Sequence, residues 1–511
     1  MAEKIEDVTV VGGGDSGLLT ALSIAKLNPG IDVTVVDDFQ RDIPQVGKST
    51  YSKILSILHE TLEIDDFRFV TEVRPVWKGS VYFRDWCGYP EFQYPFDVHL
   101  KFPSVDDPDA TEKYYYYYDE LYASPDHHTA GEEIVAQRKS AYNYNPREGG
   151  YVRYDDVAYH LNTERFNSFL RELCDERGVT LADDEITDVA VADGRIEHVR
   201  SDRRTYDADL YVDATGFDRV LKSQLESEFT EFPFVLDSAF NARVERSLEE
   251  VVPATVVESG EYGWFWQIDT YDNRDLGYVY ASEYVDDDAA LAEFHEYIER
   301  VAPDGAARPG DDDVAKYEFT SGYFDRAWEG NCLAVGNAEG FVEPLQSTGL
   351  TANAQAAVNL ANLLASHGRI NDEGIRDTYN AWVRRSWESI ADFISIHYKF
   401  GRGDTEFWEA MASMDVSDRV ELLVGEFSRN GFDTKISPTE NADVEDLLVF
   451  RPINFYEIMR KMGVRSAFYE SHEFEVPDSV KEDEEEYYRG VREEVENYLS
   501  TKEFYKGVLE L

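Results

Sequence analysis

An α/β fold with an inserted mixed β-sheet and a mostly helical C-terminal region is what this 511-residue sequence predicts. Three observations carry that expectation. Near the N-terminus, a strand pattern (Val8 to Val11), a glycine-rich turn and a helical run (Leu18 to Leu27) lead into a second strand, Asp32 to Val36, which ends on Asp37 and Asp38. The middle of the chain carries short extended segments such as Gly263 to Asp269. From Asp377 onward, apolar residues recur at helical spacing.

The first element organises the rest. Gly12, Gly14 and Gly17 fall at the G-x-G-x-x-G spacing of a dinucleotide-binding, Rossmann-like unit. Gly12 permits the tight turn, Gly14 lets backbone approach a pyrophosphate, and Gly17 lets helix and strand pack closely. The positive end of the helix faces the phosphates. Asp37, about 20 residues on, is placed to accept ribose hydroxyls.

Composition bounds the remainder. The chain is 43% hydrophobic and 14% aromatic, enough for a large core. Asp and Glu number 103 against 49 Lys and Arg, a formal charge of −54. That charge repels nucleic acid and anionic membranes, and it suits an acidic surface kept hydrated and screened at molar salt, as in a halophilic organism. No run of about 18 apolar residues occurs, so no membrane span is expected. Cys87, Cys174 and Cys332 show neither metal-ligand nor disulfide spacing, and the acidic N-terminus does not read as a signal peptide. A reduced, cytoplasmic protein is the expectation.

Next in order, Asp42 to Thr50 forms a turn before a helix expected over Tyr51 to Leu62, and alternation suggests a strand from Lys78 to Arg84. Five tyrosines, Tyr114 to Tyr118, read as strand packing or as an aromatic wall beside a pocket; His127 and His128 read as surface residues. Tyr159 to Val179 holds an amphipathic helix capped by Asn162 or Thr163. Ala208 to Phe217 gives a strand ending at Asp213, Thr215 and Gly216. Trp264 and Trp266 share one face of an extended segment. Gly330 to Leu364 reads as strand, glycine-rich turn, proline-bearing loop and small-residue helix. The amides of Ser347, Thr348 and Gly349 open that helix, where an anion is favoured.

These residues together resemble the flavin-dependent tryptophan halogenase family, within the FAD-binding monooxygenase-like folds of the GR2 type. GGGDSG resembles its first glycine motif. QVGKST resembles its VGEST segment, with Lys48 where the family has Glu. WKGSVYFRDW resembles the segment that carries the catalytic lysine, here Lys78. GWFWQID resembles W-x-W-x-I-P, with Asp269 for Pro, and AVGNAEGFVEPLQSTGL resembles the flavin and halide segment, with Asn337 for Asp. DFISIHYKFGRGDTEFW, Asp392 to Trp408, resembles a C-terminal helix and loop of the family.

The resemblance implies an FAD-dependent halogenase supplied with reduced flavin by a separate reductase. Oxygen and chloride or bromide give hypohalous acid, which travels to Lys78 and is directed onto an electron-rich aromatic ring. The cofactor residues it implies are the three glycines and Asp37, Val46, Gly47 and Gly216, the shielding Trp264 and Trp266, and Gly336, Asn337, Pro344, Gly349 and Leu350. Halide falls to Ser347, Thr348 and Gly349. Gln346 stands where tryptophan halogenases carry a glutamate that pairs with the lysine; glutamine hydrogen-bonds but does not ionise. With Phe450, Phe455 and Tyr456 as the substrate wall and no tryptophans there, the substrate reads as an indole, phenol or pyrrole other than free tryptophan, free or carrier-bound. Members are often homodimers. The implied organisation is an FAD-binding core over 1–375, with substrate-sheet inserts at about 68–150 and 225–320, and a helical lid region over 376–511. The alternative is an FAD-dependent monooxygenase or oxidoreductase on the same scaffold, without halogenation.

Overall fold

The computed structural model describes residues 3–41, 46–97, 128–145, 150–430, 449–471 and 475–509. Tyr114 to Tyr118 and His127 lie outside the described residues. The chain divides into two compact units. One comprises Met1–Pro75, Leu161–Pro233 and Glu318–Ile390; the other comprises Val76–His160, Phe234–Tyr317 and Ala391–Leu511.

The first unit is built on a six-stranded sheet in the order Thr180–Asp183, Asp32–Asp37, Asp7–Val11, Leu210–Asp213, Cys332–Ala334, Trp328–Glu329. The first five strands run parallel and the last is antiparallel. The valine-rich strand Asp7–Val11 is buried from its second residue onward, as a parallel strand covered on both faces must be. Helix Asp15–Leu27 packs against helices Gly349–Ser366 and Thr163–Glu176. Asn162 caps the last of these, its side chain accepting from Arg165 N–H. The helix expected over Tyr51 to Leu62 is instead a short α-helical turn, Lys53–Leu55, running into a π-helical Ser56–Thr61.

The second unit holds a seven-stranded sheet in the order Ala315–Glu318, Ser238–Val244, Arg274–Tyr280, Gly263–Asp269, Ala254–Ser259, Ser80–Arg84, Glu91–Pro95. Helix Asp287–Val301 covers one face. There Phe265 stacks on Tyr278 and on Tyr297 with ring centroids 4.3 Å apart in each case. C-terminal helices include Asp418–Asn430, Pro452–Lys461, Asp478–Glu496 and Thr501–Leu509. The strand expected from Lys78 to Arg84 is two strands, Val76–Lys78 and Ser80–Arg84, broken at Gly79. The break has a packing cause. A Cβ on Gly79 would lie 2.4 Å from the Gly131 carbonyl oxygen, and one on Gly131 would lie 2.6 Å from that of Gly79. Strand and helix Ala130–Ala136 touch backbone to backbone at this point. Among the described residues no helix is long and apolar enough to cross a membrane, and no metal-ligand cluster occurs.

Candidate active site

In the first unit the sequence motifs gather beyond the carboxyl ends of the parallel strands. Val11 is in register with Asp213 and Val36, and Asp213 with Ala334. Gly12, Asp37, Thr215–Gly216 and Gly336 therefore leave adjacent strands at one edge, where open α/β sheets bind ligands. Gly12 (φ +108°) turns tightly against Ala214, whose carbonyl oxygen would lie 2.4 Å from an added Cβ. A Cβ on Gly17 would lie 2.1 Å from the Gly12 oxygen, so this glycine fixes how closely helix meets strand. At Gly14 an added Cβ meets nothing within 4 Å. That open side leaves room for a ligand at the helix start, and the residues fit a bound FAD. Asp37 accepts from Gly13 N–H through Oδ2 at 2.8 Å, which ties this acid to the loop. Fully buried Asp213 braces the next turn, accepting from Thr215 N–H and Oγ1–H and from the Leu221 and Lys222 amides. The Val46 carbonyl accepts from Thr163 Oγ1, and Gly47 beside it is buried.

The turn before helix Gly349–Ser366 is strained. Gln346 (φ +65°) and Ser347 (φ +57°) are consecutive left-handed residues, and both are buried. Ser347 N–H is taken by the Pro344 carbonyl at 3.0 Å. The helix opens at Thr348 and Gly349, and Gly349 again has open space where a Cβ would point. Leu350 is buried, while Gly336 (φ +64°) sits against Ser16. Asn337 and Pro344 are partly exposed beside it.

In the second unit Lys78 is fully buried. It pairs with Ala158 across strands Val76–Lys78 and Ala158–Leu161, while Val76 pairs with His160. Alternation puts Lys78 and His160 on one face and Trp77 and Tyr159 on the other. Trp77 anchors its face in an aromatic cluster with Tyr142, Phe504 and Tyr505. Burial holds the Lys78 amine well below the pKa of an ordinary lysine, and Nζ lies 5.3 Å from the Phe96 ring centroid. His160 donates from Nδ1 to the Asp269 carbonyl at 3.0 Å and meets Thr255 Oγ1 through Nε2 at 2.9 Å. Its pKa is pushed down to about 3, first by burial and then by Lys78, so the ring is neutral.

Trp264 and Trp266 are buried on one face of Gly263–Asp269, with ring centroids 6.2 Å apart. Trp266 lies over Gly277, its cross-strand partner, and donates to Asp275 Oδ1 at 3.1 Å. Asp269, buried, is held by Arg274 through Nε to Oδ1 at 2.8 Å and Nη2 to Oδ2 at 3.0 Å, with Arg246 Nε at 3.7 Å. Burial pushes the Asp269 carboxyl up, but Arg274 and Arg246 outweigh it and the pKa ends below the usual range. Phe450 stacks on Phe393 at 3.9 Å, Phe455 meets the same ring edge-on at 5.3 Å, and Tyr456 stacks on Phe427.

A sequence model of the tryptophan halogenase family matches residues 7–477. The chain belongs to the tryptophan halogenase family. It is 27% identical over 451 residues to tryptophan 7-halogenase RebH of Lentzea aerocolonigenes, covering 82% of this chain and 81% of that one. It is 28% identical over 457 residues to tryptophan 6-halogenase SttH of Streptomyces toxytricini, covering 81% and 82%. The structure of MibH, a tryptophan 5-halogenase, superposes with a TM-score of 0.79 at 29% identity, over 98% of this chain and 92% of that one. The chain is thus an FAD-dependent halogenase of an aromatic substrate. Within this halogenase, sequence reasoning missed His160, Phe96, Gly131 and Gly277. Only the GS break after Lys78 hinted that another backbone comes close there.

Proposed function

We propose that Lys78 takes the oxidised halogen and delivers it to an electron-rich aromatic compound other than free tryptophan. The observation that carries this reading is the fully buried amine beside an aromatic ring, its pKa held well below that of an ordinary lysine by burial, which favours the neutral form. A neutral amine is a nucleophile; an ammonium is not. Lys78 Nζ attacks the halogen of hypohalous acid, and hydroxide leaves with a proton from nitrogen as water. An N–halogen bond has formed. A ring carbon then takes the halogen, the N–halogen electron pair returns to nitrogen, and the proton lost by the ring restores the amine.

FAD reduced by a separate reductase would supply the two electrons that activate oxygen; one oxygen atom then leaves as water and the other oxidises chloride or bromide to that acid. The loop from Gly12 to Gly17, Asp37, Val46–Gly47, Gly216, Gly336, Asn337, Pro344, Gly349 and Leu350 would hold it. Trp264 and Trp266 would wall the flavin off from substrate, which suppresses direct oxygenation. Ser347, Thr348 and Gly349 form the halide turn, with the amides of Thr348 and Gly349 as the anion contacts, since that of Ser347 is bonded to the Pro344 carbonyl. Two left-handed non-glycine residues in succession cost about 1–3 kcal/mol each, and such strain collects at ligand sites. Gln346, one of the two, orients the oxidant as a hydrogen-bonding but uncharged group. Phe450, Phe455 and Tyr456 back the ring-binding side, and the substrate is an indole, phenol or pyrrole, free or on a carrier.

The experiment supplies the full chain with reduced FAD, chloride or bromide in molar salt, and a panel of indoles, phenols and pyrroles, with products read by mass spectrometry. Halogenated product from wild type and none from Lys78→Ala, with FAD binding retained, is the expected result. No halogenated product from any panel member, or undiminished product from Lys78→Ala, overturns it.

A further inference from the structure

The glycine loop carries a carboxylate at the end of the helix where a dinucleotide places its phosphates. Asp15 is the first residue of helix Asp15–Leu27, and its side chain is 7% exposed. Its Oδ1 accepts from Asn167 Nδ2 at 3.1 Å, and the same amide group also donates to the Gly13 carbonyl. The carboxylate is thereby fixed against the loop. Its Oδ2 is buried with no hydrogen-bond partner and faces Lys48 Nζ at 3.9 Å.

An acid at the first helical position suits the helix dipole. It also repels a second anion brought to the same amides. The chain as a whole, at −54, adds to that repulsion. Lys48 is the cation placed to answer it. Its side chain is partly exposed at 37%, so the ammonium is within reach of both Asp15 and an incoming ligand. Its backbone sits beside buried Gly47 and the Val46 carbonyl that Thr163 holds. Gly14, one residue before Asp15, has open space where a Cβ would point.

We infer that Lys48 is the cationic contact for the pyrophosphate of the bound dinucleotide, cancelling the Asp15 charge and engaging the phosphate oxygens across Gly14. The inference rests on the FAD reading above and goes beyond it by assigning a phosphate-binding residue.

The test measures affinity of the full chain for FAD and for riboflavin, which shares the isoalloxazine but has no phosphate, by flavin fluorescence at one fixed KCl concentration. Lys48→Met should weaken FAD by about tenfold or more, the worth of one charge-assisted contact, and leave riboflavin within about twofold. Lys48→Arg should keep FAD affinity. Asp15→Asn added to Lys48→Met should recover part of the loss, because the uncompensated carboxylate is gone. FAD affinity unchanged in Lys48→Met, or an equal loss for FAD and riboflavin, overturns the assignment while leaving the cofactor intact. A wild-type chain that binds no FAD sinks the cofactor reading, and this assignment with it.

Discussion

The two units build their sites from different materials. The first unit's crevice is made of backbone: three glycines, strand ends in register and a helix start, with Asp37 and Asp213 spent on holding amides. The Lys78 site in the second unit is made of side chains, and its defining property is burial. Lys78, His160 and Asp269 are all fully enclosed, and the two that carry an ionisable nitrogen have depressed pKa values. The contrast teaches where each chemistry is vulnerable. A backbone site fails when an atom is added to it. A buried-amine site fails when a group is removed or water is let in.

The largest effect expected is at the amine. Lys78→Met should lower product formation by about 1,000-fold or more, while FAD still binds and the melting temperature does not fall, since a desolvated amine has been replaced by an apolar chain. A parallel loss of flavin would erase the distinction between the sites. Next is the charge cluster beneath His160. Asp269→Asn leaves Arg274 and Arg246 buried without their carboxylate and should cost about 3 kcal/mol in urea denaturation. On the backbone side, Gly14→Val should weaken FAD by about tenfold or more with the fold intact, because its side chain enters open space. Gly17→Val should instead lose folded protein, since its Cβ meets the Gly12 oxygen at 2.1 Å.

A smaller effect sharpens the comparison through pH. Glu339 is buried in the first unit and accepts from Trp387 Nε1 at 2.8 Å; burial pushes its carboxyl up to about 8 from 4.5. The fold keeps a proton that the unfolded chain has released. Its contribution to stability is therefore full below the unfolded pKa and is lost as pH rises through the folded one. Glu339→Gln, neutral throughout, should gain on wild type over that window and no further above it, as read from urea midpoints at several pH values. The smallest effect is general: a melting temperature that rises between low and molar KCl, as screening relieves the −54 charge.

Legibility in the sequence follows the same division. The glycine loop could be read because a tight turn, a close approach and a positive φ each demand glycine locally, and Gly12, Gly17, Gly216 and Gly336 bear that out in conformation or packing. The capped helix starting at Thr163 was legible from its periodicity and from Asn162. Lys78 stood out only through the family's motif. Its environment was not legible, because pairing with Ala158 and His160 joins segments far apart in the chain, and strand register leaves no local trace. Gly277 under Trp266 was hidden for the same reason. The expected unbroken strand from Lys78 failed at Gly79, where contact with Gly131 overrode a sound alternation pattern.

That pair of glycines sets a rule for anyone reshaping the enzyme toward new substrates. Two absent methyl groups hold the lysine-bearing ribbon flush against helix Ala130–Ala136, so positions 79 and 131 act as a rivet. Libraries that diversify around the amine should leave both untouched and spend their variation on Phe96, where a change alters the ring beside the amine and not the hinge pin.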